Sequence, residues 1–197
     1  MTKIVCETPD RHADGIEALY HRTFGPGHFA KTAERLREGT VSLPDLSRVA
    51  LADDQIVGVC RIWPVEIGDE RTPAVFVGPV AVAPEYQGAR LGLKVTGAAL
   101  EAAKAAGWPA AVIIGAPTYF GELGFKPVPA GQLRFPGPQD PARIMVRALA
   151  GSADILSGAV QVPVEPRAYL SRRLAPLASP APDQNEQDQT RREEAWQ

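Results

Sequence analysis

The chain has 197 residues, a length that suits one domain with an appendage better than two domains of about 150 residues each. Its 21 Lys+Arg against 23 Asp+Glu give a net charge of -2, which excludes the basic footprint of a dedicated nucleic-acid binder. Hydrophobic residues form 45% of the chain, too many for wholesale disorder, and no apolar run approaches the roughly 20 residues of a membrane span.

The first residues turn polar too soon for a secretory signal, so a cytoplasmic protein is expected. In that reducing setting Cys6 and Cys60, each inside an apolar run, read as small buried hydrophobes rather than a disulfide. Residues 3–7 suit a short strand. Thr8-Pro9-Asp10 then starts a helix carrying Ile16, Leu19, Tyr20 and Phe24 at helical spacing, broken at Gly25-Pro26-Gly27. A second, more charged helix is predicted over 29–38, ending at Gly39. From Arg48 two apolar runs flank Asp53-Asp54, a hairpin whose second strand reaches Trp63. A third strand covers 74–82, and Pro79 must make it bulge or part from a neighbour, because proline donates nothing to a ladder.

A long helix follows over 90–106, with Leu91, Val95, Ala98, Ala99, Ala102 and Ala106 as its apolar stripe and Gly107 as its stop. Ala110 to Ile114 is apolar throughout, as expected inside a mixed sheet. A short helix over 118–123, closed by Gly124, precedes an extended piece from Phe125 and final strands over 143–149 and 159–164. Residues 176–197, rich in Pro, Gln and charge, read as a flexible tail in which Trp196 is the one candidate anchor. The domain is placed at 1–175.

The chemistry concentrates between Val80 and Leu93: a strand, a Pro-terminated turn, a loop with Gly88, then a helix start at Gly92. Exposed amides at a helix start, with the positive end of its dipole, make an anion site. Rival phosphate motifs fit worse. The spacing from Gly88 to Gly92 is one residue short of a P-loop, no Gly-x-Gly-x-x-Gly follows a strand, and no Gly-x-Ser-x-Gly occurs. His12, His21 and His28 lack zinc-like spacing, so no metal is expected.

Gln87-Gly88-Ala89-Arg90-Leu91-Gly92 resembles the acetyl-CoA loop of the GNAT superfamily of N-acetyltransferases, Gln/Arg-x-x-Gly-x-Gly/Ala, with Arg90 in place of the middle glycine. Gly78-Pro79-Val80-Ala81-Val82 resembles that family's splayed fourth strand. The run from Ile114 to Phe125, and the opening around Phe24 to Ala33 and Leu36 to Gly39, resemble its YhbS-like branch. The resemblance covers about residues 3–165, in the family's order.

It implies an α/β (α+β) fold: a mixed, mostly antiparallel sheet with a splayed central strand and helices on both faces. It implies direct transfer of an acetyl or short acyl group from acyl-CoA to a primary amine, without a metal. Val80, Ala81, Val82, Gln87, Gly88, Ala89, Arg90, Leu91, Gly92, Leu93 and Phe120 are the implied CoA-binding residues. The family's usual thiolate proton donor, a Tyr four residues before the Gly-Phe, falls on Phe120, so the adjacent Tyr119 is the substitute donor. Glu66 is the preferred general base over Asp69 and Glu85. Arg61, Trp63 and His28 are candidates for the acceptor pocket. Phe120, Arg90 and Ala116, where that branch usually has an acid, motivate an alternative: an acyl-CoA sensor with weak or no turnover. A third reading makes the tail a docking segment. Homodimers are common in the family.

Overall fold

In β3 (Gln55–Ile67) the 13 residues run four beyond the predicted stop at Trp63. Pro64 follows that predicted stop without ending the strand. On the side of β3 away from its hairpin partner, Ile62 is satisfied by Ser47 Oγ and the Leu43 N–H instead of a strand. Two residues on, Pro64 presents its missing N–H to that same unpaired edge. The hairpin partner, β4 (Thr72–Val82), pairs along this whole length, from Ile67↔Thr72 to Gly58↔Val82.

These coordinates are a computed structural model, which describes residues 1–25, 35–38, 40–150 and 156–164. All of them lie in one unit, Met1–Pro166; the second unit, Arg167–Gln197, falls outside the described residues. So do the predicted tail, Trp196, His28 and most of the predicted second helix, of which Arg35 and Leu36 show a single 3₁₀ step.

The remaining elements are β1 (Lys3–Cys6), α1 (Pro9–Phe24), β2 (Arg48–Ala52), α2 (Leu91–Ala105), β5 (Ala110–Ile114), α3 (Pro117–Phe120), β6 (Lys126–Pro127), β7 (Leu133–Arg134), β8 (Ile144–Ala148) and β9 (Gly158–Gln161). The sheet runs β1-β2-β3-β4-β5-β8-β6, with β9 joining β3 and β7. Along that path only β4 and β5 are parallel, so the sheet is mixed and mostly antiparallel, as expected. The 143–149 and 159–164 predictions shorten to β8 and β9, because Arg143 ends a 3₁₀ turn and Val162 to Val164 leave the ladder.

One face of the sheet, with Val65, Ile67, Ala74, Phe76, Val112 and Val146, packs under Leu36, Leu133, Phe135 and Leu156. Elsewhere Ile16, Leu19 and Tyr20 of α1 cover Val49, Val57, Val59 and Ala81. In α2 the buried stripe is Leu91, Leu93, Val95, Thr96, Ala99, Leu100 and Ala103, rotated from the predicted one. Ala98 and Ala102 are half-buried and Ala106 is exposed past the helix end. An alanine-rich helix carries little apolar contrast around its circumference, so the bulkier Leu93 and Leu100 set its orientation.

Candidate active site

Between Cys60↔Val80 and Ile62↔Val77 the register shifts: Arg61 on β3 faces two residues, Gly78 and Pro79, on β4. This is the bulge that Pro79 predicts, with a cis Gly78-Pro79 peptide. Trp63 Nε1 donates to the Gly78 carbonyl at 2.7 Å and pins the bulge from the neighbouring strand.

β4 meets β5 only at Val75↔Ala111 and Phe76↔Val112. Past that point β5 stays paired with β8 through Ile114 but not with β4, and the two parallel strands part. Ala83 N–H bonds Val57 O at 2.9 Å, so the alternation of an antiparallel ladder turns Ala81 toward β3. The same alternation turns the N–H and C=O of Val80 and Val82 away from β3, toward the opening beside β5. Gln87 Nε2 donates to the Val82 carbonyl at 3.3 Å and ties the following loop to this edge.

That loop delivers the start of α2. A 3₁₀ turn (Pro84–Tyr86) leads to Gly88 at φ 86 and Arg90 at φ 58. Arg90, which stands where the resembled loop has glycine, therefore takes the left-handed conformation itself, at a cost of about 1–2 kcal/mol. Lys94 is the first residue bonded back into the helix, to Arg90 O at 3.1 Å. The N–H groups of Leu91, Gly92 and Leu93 thus emerge from the helix start with the positive end of its dipole. On the α1 side, Arg22 holds Glu85 through both carboxylate oxygens at 2.9 Å. Glu85's own backbone, and then Arg22, keep its carboxyl below the usual range.

α3 and the 3₁₀ turn Gly121–Leu123 form the opposite wall, carried by β5. Phe120 lies against Gly115, where an added Cβ would strike its ring, and meets Phe125 edge-on at 6.4 Å. Tyr119 turns the other way. Its hydroxyl covers Gly92, leaving no room for a Cβ there, and touches the Leu93 backbone. Burial raises the Tyr119 pKa, against the opposing pull of Leu93 and Arg90. Glu122 reaches across to pair with Arg90.

The structure therefore gathers Val80, Val82, Gln87 to Leu93 and Tyr119 along one continuous path, with Phe120 beside it and Ala81 facing β3. It does not bring Glu66 there. Glu66, next to last in β3, stands opposite Pro73 and Gln161 and pairs with Arg71 at 2.5 Å. Pro73 and Val80 are seven residues apart on β4, about 23 Å at the strand rise. Because β3 continues past Trp63, the carboxylate is carried to the far end of the hairpin; Asp69 lies in its turn. Arg61 answers an acid: its guanidinium grips the buried Glu7 at 2.8 and 3.0 Å, with Glu17 at 3.6 Å. Glu7 and Glu122 escape a reading by local spacing, since their partners lie 54 and 32 residues away.

A family model described as an acetyltransferase (GNAT) domain matches residues 10–128. The chain belongs to the GNAT acetyltransferase family. Among its relatives, the uncharacterised N-acetyltransferase YhbS of Escherichia coli K12 is 30% identical over 142 residues, 72% of this chain and 84% of YhbS. The crystal structure of E. coli YhbS in complex with CoA superposes with a TM-score of 0.70 at 29% identity, covering 85% of this chain and 92% of that one. A GNAT acetyltransferase from Brucella melitensis in complex with acetyl-CoA gives 0.62 at 25% identity, covering 83% and 97%.

Proposed function

We propose that this chain transfers an acetyl or short acyl group from acyl-CoA to a primary amine. The observation that carries the reading is the continuous path from the edge of β4 that faces away from β3, at Val80 and Val82, into the amides that open α2. A pantetheine arm is an extended amide chain and can pair with a free strand edge. A diphosphate suits a helix start. The CoA complexes of two relatives with this fold support the same donor.

In the reaction the amine nitrogen attacks the thioester carbonyl carbon, the C–N bond forms, and the C–S bond breaks with its electron pair leaving on sulfur. A backbone N–H of Val80 or Val82 polarises the carbonyl as charge grows on its oxygen. Tyr119 is the notable departure. Its hydroxyl stands over the first turn of α2, so we assign it to the diphosphate end rather than to the sulfur. Phe120 contributes an apolar wall and no proton. The ammonium proton of the tetrahedral intermediate passes to water, and water protonates the thiolate. Glu66 has no part in this scheme.

The geometry around Phe120 also favours a second reading, an acyl-CoA sensor with little turnover. Thiol release from acetyl-CoA across a panel of primary amines separates the two. The transferase reading expects release above background with at least one amine class; binding without release across the panel would leave the sensor.

A further inference from the structure

We propose that Glu122 is an internal competitor for the acyl-CoA diphosphate, occupying Arg90 until the ligand displaces it, and so sets the affinity for CoA. The inference rests on the acyl-CoA reading above.

Arg90 is an unusual residue for its position. It holds a left-handed backbone at φ 58 at the mouth of the anion site, where glycine would be unstrained. Its guanidinium extends to the Glu122 carboxylate on the turn after α3. The pair therefore spans the opening between the wall built on β4 and α2 and the wall built on β5. Beside it the Tyr119 hydroxyl lies over Gly92 and Leu93, so two protein oxygens stand on groups a diphosphate would use. The two oxygens differ in what they can do next. A phenol carries a donor and can turn its O–H to a phosphate oxygen. An ionised carboxylate offers only acceptors and like charge, so Glu122 must release Arg90. Release is easy, because both side chains are substantially exposed, at 62% and 43%. Exposed pairs are weak, and a diphosphate brings more charge and more acceptors to a fork-shaped donor.

The test is CoA titration of the full chain by calorimetry, at low and physiological ionic strength. Glu122→Gln, which keeps size and removes charge, should lower the CoA Kd by about two- to five-fold. The gain should be larger at low salt, where the competing charge is less screened. It should vanish in an Arg90→Gln background, and acetyl-pantetheine, which lacks the diphosphate, should show none. An unchanged or raised Kd in a folded Glu122→Gln protein would overturn the proposal while leaving the acyl-CoA reading in place. A gain that persists without Arg90 would overturn it too. Failure of the unsubstituted chain to bind CoA would overturn the acyl-CoA reading, and this inference with it.

Discussion

Arg61 on β3 meets Glu7, just past the end of β1, with 15% and 1% of their side-chain surface exposed, and the guanidinium lies 5.9 Å from the Tyr20 ring. A charge this buried is tolerable only with its partner. Arg61→Ala should therefore cost about 3–5 kcal/mol of unfolding free energy, measured by urea denaturation. Cys60 offers a pH test. Burial pushes its thiol from an ordinary 9.0 up to about 12, so between those values the folded chain holds a proton the unfolded chain has lost. Stability should fall as pH rises through that window, and Cys60→Ala should reduce the slope by up to about 1.4 kcal/mol per pH unit. At Tyr119 the two assignments give different kinetics. Contact with the diphosphate predicts that Tyr119→Phe raises KM for acetyl-CoA with kcat unchanged. A fall in kcat of about a hundred-fold or more would return the proton-donor role to Tyr119.

The elements that position the site were readable where a local rule governs them. Pro79 announced the bulge, Gly107 and Gly124 closed their helices, and the run from Gln87 to Gly92 marked the turn that starts α2 without any tertiary knowledge. The length of β3 was not readable, because whether a proline such as Pro64 ends a strand depends on whether a neighbour needs its N–H, and that is a property of the sheet. Glu66 lies far from Val80 because β3 continues through Ile67 to the other end of the hairpin. The α2 stripe was misjudged because alanine barely distinguishes one helix face from another. Gly92→Asp tests the element directly. It sets a side chain against the Tyr119 hydroxyl and a negative charge on the first turn of α2, so acetyl-CoA affinity should fall by at least ten-fold in calorimetric titration, with the fold retained by circular dichroism.

At the scale of the whole molecule, the contacts that shape the site are long-range pairings no spacing rule reaches. Arg61 with Glu7, Trp63 with Gly78, Arg22 with Glu85 and Arg90 with Glu122 each join separate elements. Together they hold β4 bulged, fix the loop before α2 and bridge the opening toward α3. The order of elements, by contrast, was legible as a family pattern, because each GNAT segment leaves its own local mark. We propose that the GNAT domain extends through residue 175, past the Met1–Pro166 unit. A chain ending at 175 should keep the melting temperature and CoA response of the full chain, and loss of either would assign residues 176–197 to the domain. The central claim, that the edge of β4 and the start of α2 form an acyl-CoA site, is tested most directly by a thermal-shift titration with acetyl-CoA against ATP and NAD. Ligand at a hundred times its Kd adds about 2.7 kcal/mol, roughly 5–11 °C in a domain of this size. A saturable rise with acetyl-CoA alone is the predicted result; a folded protein whose melting temperature does not move with acetyl-CoA would contradict the account.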